Sequence, residues 1–415
     1  MLSATSPSSG KTKTRGMPGL RFSRLFLPIV LLLLAPILLT SSAPKQQSAG
    51  QGDTEPKPEA AIPAILGAFD KYEVVAMPED HGLKDLDDFI FSLIRNPVFS
   101  EKANDIVIEC GNSAYQPLLD RYIAGEDVPL AEARKVWRNT SQPICGTSGF
   151  GFFEQLYPLI RAINLKLPPQ RRFRALAADP PIDWGQVKSF DDILKLGSRD
   201  ASIASVMEKE VLSKHRRALM LFGTFHLLHM SDVRASAVSM YEKDYPGVTF
   251  VISELTAADK GVAARSASWP IPSVVRAQGT SIGALNFGHF FPLPLRIDQD
   301  CKVRNDLPKH LQKPIEDLVD AFLYLGPNDL ALKEQLPAYI VLDEEYMAEV
   351  RRRESVLSGL GSQKDFYQQF VNDAEDPLFT LSKPLGAQEV QAAVESCVER
   401  KGRSSAPKAG TKQVQ

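Results

Sequence analysis

The feature that most constrains this chain is a series of short apolar runs separated by amphipathic stretches. The runs are Tyr72–Met77, Asp105–Ile108, Phe173–Ala177, Ala218–Phe222, Thr249–Ile252 and Ala321–Leu325. Each is too short for an ordinary helix and too continuously apolar for a strand with one wet face, which is how strands buried on both faces read. Helical patterns lie between them, at Leu86–Leu93, Ala114–Ile123, Phe152–Ile163, Ala201–Leu212 and Asp232–Glu242. This alternation predicts an α/β fold: a mostly parallel sheet flanked by helices on both faces, in a single domain.

The N-terminal segment reads differently. Lys11, Lys13, Arg15, Arg21 and Arg24 precede the first acidic residue, Asp53, and an apolar run from Leu25 to Leu39 is interrupted only by Pro28 and Pro36. A membrane span needs about 20 residues, and this run suits a signal-peptide core better. Small residues at Ser41 and Ala43 fit the cleavage positions. Residues 1–43 are therefore expected to be a cleavable signal peptide, leaving no stable membrane span; an uncleaved N-terminal membrane anchor is the alternative. The expected destination is a periplasm or the medium. Residues 44–61 are expected to be a disordered linker, 62–400 the folded domain, and 401–415 a disordered tail.

Charge and cysteine content narrow the classes further. The chain has 48 Lys and Arg against 50 Asp and Glu, and losing the five leader cations leaves 43 against 50. No basic footprint exists, so nucleic acid is excluded as a partner. Cys110, Cys145, Cys301 and Cys397 have no CxxC spacing, which excludes a zinc ribbon. In an oxidising compartment they suit two bridges, in any of three pairings, with free buried thiols as the alternative.

The residues at the ends of the runs carry the functional signal. Tyr72–Met77 leads into Pro78-Glu79-Asp80-His81, Asp105–Ile108 into Glu109, and Phe173–Ala177 into Asp179 and Asp183. Ala218–Phe222 leads into Gly223-Thr224-Phe225-His226, and Thr249–Ile252 into Ser253-Glu254. In a parallel sheet these groups share one edge, where open α/β folds bind ligands. Imidazoles and carboxylates there suit a divalent metal such as zinc, manganese or iron, or general-base activation of water without one. Asp80, Asp183 and Ser253 are each expected to cap a following helix instead.

Other constellations weigh less. His226 and His229 are three residues apart, and His229 is expected to be packed or solvated. Gly146-Thr-Ser-Gly-Phe-Gly151 lacks a P-loop ending and reads as a loop on the rim of the site. Arg171, Arg172 and Arg174 read as a solvated strand edge, and Asn139-Thr140-Ser141 fits a glycosylation triplet. There is no Gly-x-Ser-x-Gly elbow, and Tyr115, Tyr122 and Tyr324 match no haem motif.

The motifs Pro78-Glu-Asp-His81, Ile-Val-Ile-Glu109 and Gly223-Thr-Phe-His226 resemble the ChaN/erythromycin esterase/Tiki superfamily, which carries an early and a late Gly-x-x-His element and a glutamate ending the second strand. Leu119–Gly125, the pair Arg199-Asp200 and Asp320–Gly326 add to a resemblance that covers roughly Ala61 to Asp329. Position 78 departs from the pattern, with proline in place of glycine. The resemblance implies an exported protein with a site of Glu79, His81, Glu109 and His226. It also implies one of several activities: metal-dependent peptide hydrolysis, metal-free ester hydrolysis, or haem and iron uptake.

The leading expectation is an exported hydrolase, esterase-like or metalloprotease-like, acting on a small-molecule or peptide substrate. His81, Glu109 and His226 are the expected metal ligands, Glu79 joins them in catalysis, and Arg199 stabilises an oxyanion. A haem- or iron-binding protein and a non-catalytic scaffold with a degenerate first histidine element are the alternatives.

Overall fold

A computed structural model describes residues 54–358, apart from 80, 143–144, 146–149, 231–234, 257–258, 292–295, 298–299 and 305–306, together with 366–378 and several positions from 391 to 398. The leader, residues 44–53, Asp80, most of the glycine-rich loop and the tail 401–415 lie outside the described residues.

Among the described residues there are ten strands: β1 (Glu59–Ala60), β2 (Val74–Pro78), β3 (Asp105–Asn112), β4 (Arg174–Asp179), β5 (Ala218–Phe222), β6 (Thr249–Glu254), β7 (Ser273–Arg276), β8 (Arg296–Ile297), β9 (Val303–Arg304) and β10 (Ala321–Tyr324). Eight form one sheet in the order β1-β7-β10-β6-β2-β5-β3-β4, while β8 and β9 pair separately. From β10 to β4 every pairing is parallel; β7 joins β10 antiparallel, and β1 joins β7 antiparallel. All six apolar runs are thus strands of the sheet.

The alternation of side chains along these strands builds a core on each face. Val75, Met77, Ile106, Ile108, Leu219 and Leu221 pack against the helices Lys84–Arg95, Gln116–Ala124 and Phe150–Asn164. Val74, Ala76, Val107, Met220 and Phe222 pack on the opposite face against the helices Arg199–Val206 and Ala237–Tyr241. This is the three-layer arrangement the sequence predicts.

Several local expectations change. The segment read as a linker ends in β1, because Glu59 and Ala60 pair with Val274 and Ser273, and a helix starts at Ala61. Asp183 and Ser253 cap no helix: the Asp183 carboxylate accepts the Gly185 N–H in a turn, and Ser253 is buried inside β6. Arg199 and Asp200 open a helix behind the cap Ser198, two residues before the predicted start at Ala201. Arg174 is paired with Asp105 and Glu210 rather than solvated. Asn139 accepts a hydrogen bond from buried Arg353, and Ser141 is buried against Asp179, so the glycosylation triplet is packed.

The cysteines pair Cys110–Cys145 and Cys301–Cys397. Among the described residues, no helix is long and apolar enough to cross a membrane.

Candidate active site

Strand order brings the candidate residues together. β5 lies between β2 and β3, so the residues after β2, after β5 and at the end of β3 share one stretch of the carboxyl edge. Glu79 comes directly after β2, and its N–H bonds the Phe222 carbonyl at the end of β5, 2.9 Å away. Pro78 pairs in register with Phe222 and closes the strand. The missing N–H of a proline costs little at such a position, so this residue leaves Glu79 and His81 at the edge.

Glu109 sits where the register of β3 against β4 shifts between Ile108 and Asn112. An irregularity of this kind re-aims a side chain. The Glu109 carboxylate is buried and accepts hydrogen bonds from Arg199 Nη2 at 3.0 Å, from Gln142 Nε2 at 3.2 Å and from the Gly223 N–H. Burial pushes the Glu109 carboxyl up, but the charges of Arg199, His226 and His81 and the Gly223 N–H outweigh it and hold the group at about 2.

His81 Nδ1 lies 2.7 Å from Glu79 Oε2. Ligand atoms of Glu79, His81 and Glu109 all lie within 4.8 Å of one another. Two carboxylates and an imidazole in that space are a donor set for zinc, manganese or iron that leaves coordination positions for water or substrate. The group differs from the expected ligands: Glu79 belongs to it and His226 does not.

His226 stands beside this group and is joined to Glu109 through Arg199. Its Nδ1 is 2.7 Å from Asp200 Oδ1, and its Nε2 is 3.2 Å from Arg199 Nη1 and 3.6 Å from Glu109 Oε1. A guanidinium has only donors, so Nε2 is the acceptor in the neutral ring and Nδ1 carries the proton towards Asp200. Asp200 also accepts the Ala237 N–H at 3.0 Å, which fixes the carboxylate.

Arg199 is the hub. Besides Glu109 and His226 it donates Nε to Asp179 Oδ1 at 3.1 Å. Asp179 is fully buried, and Ser141 gives it an N–H at 2.6 Å and a hydroxyl at 2.7 Å. Burial raises the Asp179 carboxyl despite Arg199 and Ser141. The Cys110–Cys145 bridge ties the loop carrying Ser141 and Gln142 to the residue after Glu109.

Sequence reasoning placed Glu79, His81, Glu109, His226 and Arg199, and the structure brings all five to this edge. It missed the work of Asp200, Asp179, Ser141 and Gln142. A signal existed for three of these: Asp200 adjoins Arg199, and a Cys110–Cys145 pairing, one of those open to the sequence, brings Ser141 and Gln142 next to Glu109. His229 shares no helix face with His226. It lies between Glu242 Oε2 at 3.1 Å and Asp320 Oδ2 at 3.2 Å, away from the candidate site.

No family model and no curated relative matches this chain. Solved structures that align with it include a Bacillus cereus protein at 9% identity and a TM-score of 0.45, covering 68% of this chain and 97% of that one. A mutant erythromycin esterase in its open conformation aligns at 11% identity and a TM-score of 0.42, over 66% of this chain and 94% of that one. ChaN of Campylobacter jejuni with haem bound cofacially aligns at 15% identity and a TM-score of 0.30, over 48% and 87%.

Proposed function

We propose that this chain is an exported, metal-assisted hydrolase for an ester or amide bond in a small-molecule or peptide substrate. The observation that carries this reading is the grouping of Glu79, His81 and Glu109 within 4.8 Å at the carboxyl edge of the sheet. Export accords with the two disulfides, which persist in oxidising compartments.

Glu79, His81 and Glu109 would hold the cation, which supplies Lewis acidity towards a carbonyl and towards water. The protein's own part is proton transfer and charge. His226, aligned by Asp200, takes a proton at Nε2 when substrate displaces that nitrogen from Arg199. The released guanidinium then faces the charge that develops on the carbonyl oxygen. Gln142 and the Gly223 N–H keep Glu109 oriented.

The test is hydrolysis of a panel of ester and peptide substrates by the secreted chain, with and without added zinc, manganese or iron. Metal-stimulated turnover that is lost in His81→Ala and in His226→Ala supports the reading. Turnover that ignores both substitutions refutes it. A Soret band on haem addition, without hydrolysis, would instead favour the haem-binding alternative.

A further inference from the structure

The segment after β10 returns across the mouth of the sheet and brings a second group of carboxylates beside the first. Leu83 bridges Lys333, the Glu334 N–H bonds the Gly82 carbonyl at 2.7 Å, and the Leu332 N–H bonds Asp85 at 2.7 Å. Gly82 is the neighbour of His81 in the chain, so Glu334 is delivered next to the proposed metal group. Between this segment and the helices Lys84–Arg95 and Phe150–Asn164 lies a cavity of about 310 Å³. Its walls include Phe91, Leu332, Pro337 and Pro377, and its acidic lining includes Asp87 and Glu334.

These two carboxylates are poorly served by the protein. Asp87 is only 5% exposed, and among the described residues no donor bonds its carboxylate; the influence on it is charge, from Glu334, Glu79, Asp88 and Lys84. Glu334 takes the Phe152 N–H, while its Oε1 is buried with no hydrogen-bond partner among the described residues. Burial and then mutual repulsion raise Asp87 to about 10, and burial and then Glu79 raise Glu334 to about 8. The lysines on the wall are committed elsewhere, Lys84 to Asp88 and Lys333 to the Asp376 carbonyl. The ionised forms are therefore costly here, and a bound cation would stabilise them.

We propose that this cavity is a subsite for a primary ammonium group at the end of an apolar stem, carried by the substrate of the neighbouring site. The volume exceeds that of a single ion, and apolar walls with a few buried polar groups suit a small organic ligand. An ammonium has three donors and no acceptor, which matches Asp87 and Glu334. Gln155 gives its amide N–H to the Gly151 carbonyl, which leaves its amide oxygen as an acceptor. Gly151, the last glycine of the glycine-rich run, also finds its reason here: a Cβ there would stand 2.5 Å from Glu334 Oε1 and 3.3 Å from the Gln335 carbonyl. The substrate class deepens the hydrolase reading and rests on it.

The experiment is a calorimetric and NMR titration of the secreted chain with n-butylamine, and with n-butanol as the neutral analogue of similar shape. Butylamine is expected to bind at least about tenfold more tightly than butanol, and Asp87→Asn, Glu334→Gln and Gly151→Ala are each expected to weaken it by about tenfold or more. Glu126→Gln, at an exposed ion pair with Arg121 outside the cavity, is expected to change it by less than about twofold. Equal binding of amine and alcohol overturns the proposal. So does unchanged amine binding in a folded Asp87→Asn or Glu334→Gln protein. The two readings fail separately: amine binding without metal or hydrolysis leaves the subsite and removes the hydrolase, and hydrolysis without amine selectivity does the reverse.

Discussion

Arg199→Met is the most informative single perturbation, because two buried carboxylates depend on one guanidinium. Glu109 is 2% exposed and Asp179 is 1% exposed, with Arg199 nitrogens 3.0 and 3.1 Å away. Removing one partner of a buried pair leaves an uncompensated charge and costs about 3–5 kcal/mol. Two carboxylates share the loss here, while the Gly223 and Ser141 donors remain, so the middle of that range is expected near neutral pH. The sign of the pH dependence is set by Glu109. Its folded pKa is held at about 2, below the ordinary 4.5, so its contribution is present above 4.5 and is lost as pH falls through 2. In Arg199→Met that pKa rises, and the stranded carboxylates take up protons as pH falls. The stability deficit against the wild type should therefore shrink from neutral pH towards about pH 4. Urea unfolding monitored by circular dichroism at both pH values measures it. Arg199→Lys should recover part of the loss, since an ammonium serves as a point charge and cannot span both carboxylates as the fork does. A deficit below about 1 kcal/mol at neutral pH, or one that stays constant with pH, would refute the reasoning.

Three further outcomes are expected. Asp200→Asn removes the acceptor that sets the His226 tautomer, and hydrolysis should fall by about a hundredfold or more while bound metal is retained, as measured by turnover beside elemental analysis. His229 is held up to about 9: burial opposes this, but the hydrogen bonds to Asp320 and Glu242 outweigh it. Its contribution is full below the ordinary 6.5 and lost as pH rises through 9, so the stability gap between wild type and His229→Gln, up to about 3 kcal/mol, should close between those values in a pH series of thermal melts. The Cys110–Cys145 bridge closes a loop of sequence separation 35. Replacing both cysteines by alanine should cost about 3–4 kcal/mol in urea unfolding, and hydrolysis should fall as Ser141 and Gln142 lose their anchorage.

The sheet was legible because its central strands are buried on both faces, which forces continuous apolar runs such as Ala218–Phe222. The edge strand β1 and its neighbour β7 left no such mark. Glu59–Ala60 is two residues long and exposed, and Ser273–Arg276 mixes polar ends with two valines. Their antiparallel pairing was therefore invisible, as was the end of the linker in β1. Glu79, Glu109 and His226 were legible because a parallel sheet places the residues after each strand on one edge. Asp200 and Asp179 act through Arg199, and Ser141 reaches Asp179 from a loop, so their roles needed coordinates. Glu334 was the least legible. It lies in a segment without helical or strand periodicity, and only the return past Gly82 brings it to the site. Sequence order could not show that Arg199 stands at the Nε2 of His226.

The most direct test of the central claim is the metal content of the chain, purified without chelator and loaded with zinc, manganese or iron, beside His81→Ala, Glu109→Gln and His226→Ala. The account predicts stoichiometric metal in the wild type and in His226→Ala, and its loss in His81→Ala and Glu109→Gln. A wild type that retains no metal after loading, or metal that survives both His81→Ala and Glu109→Gln, would contradict it.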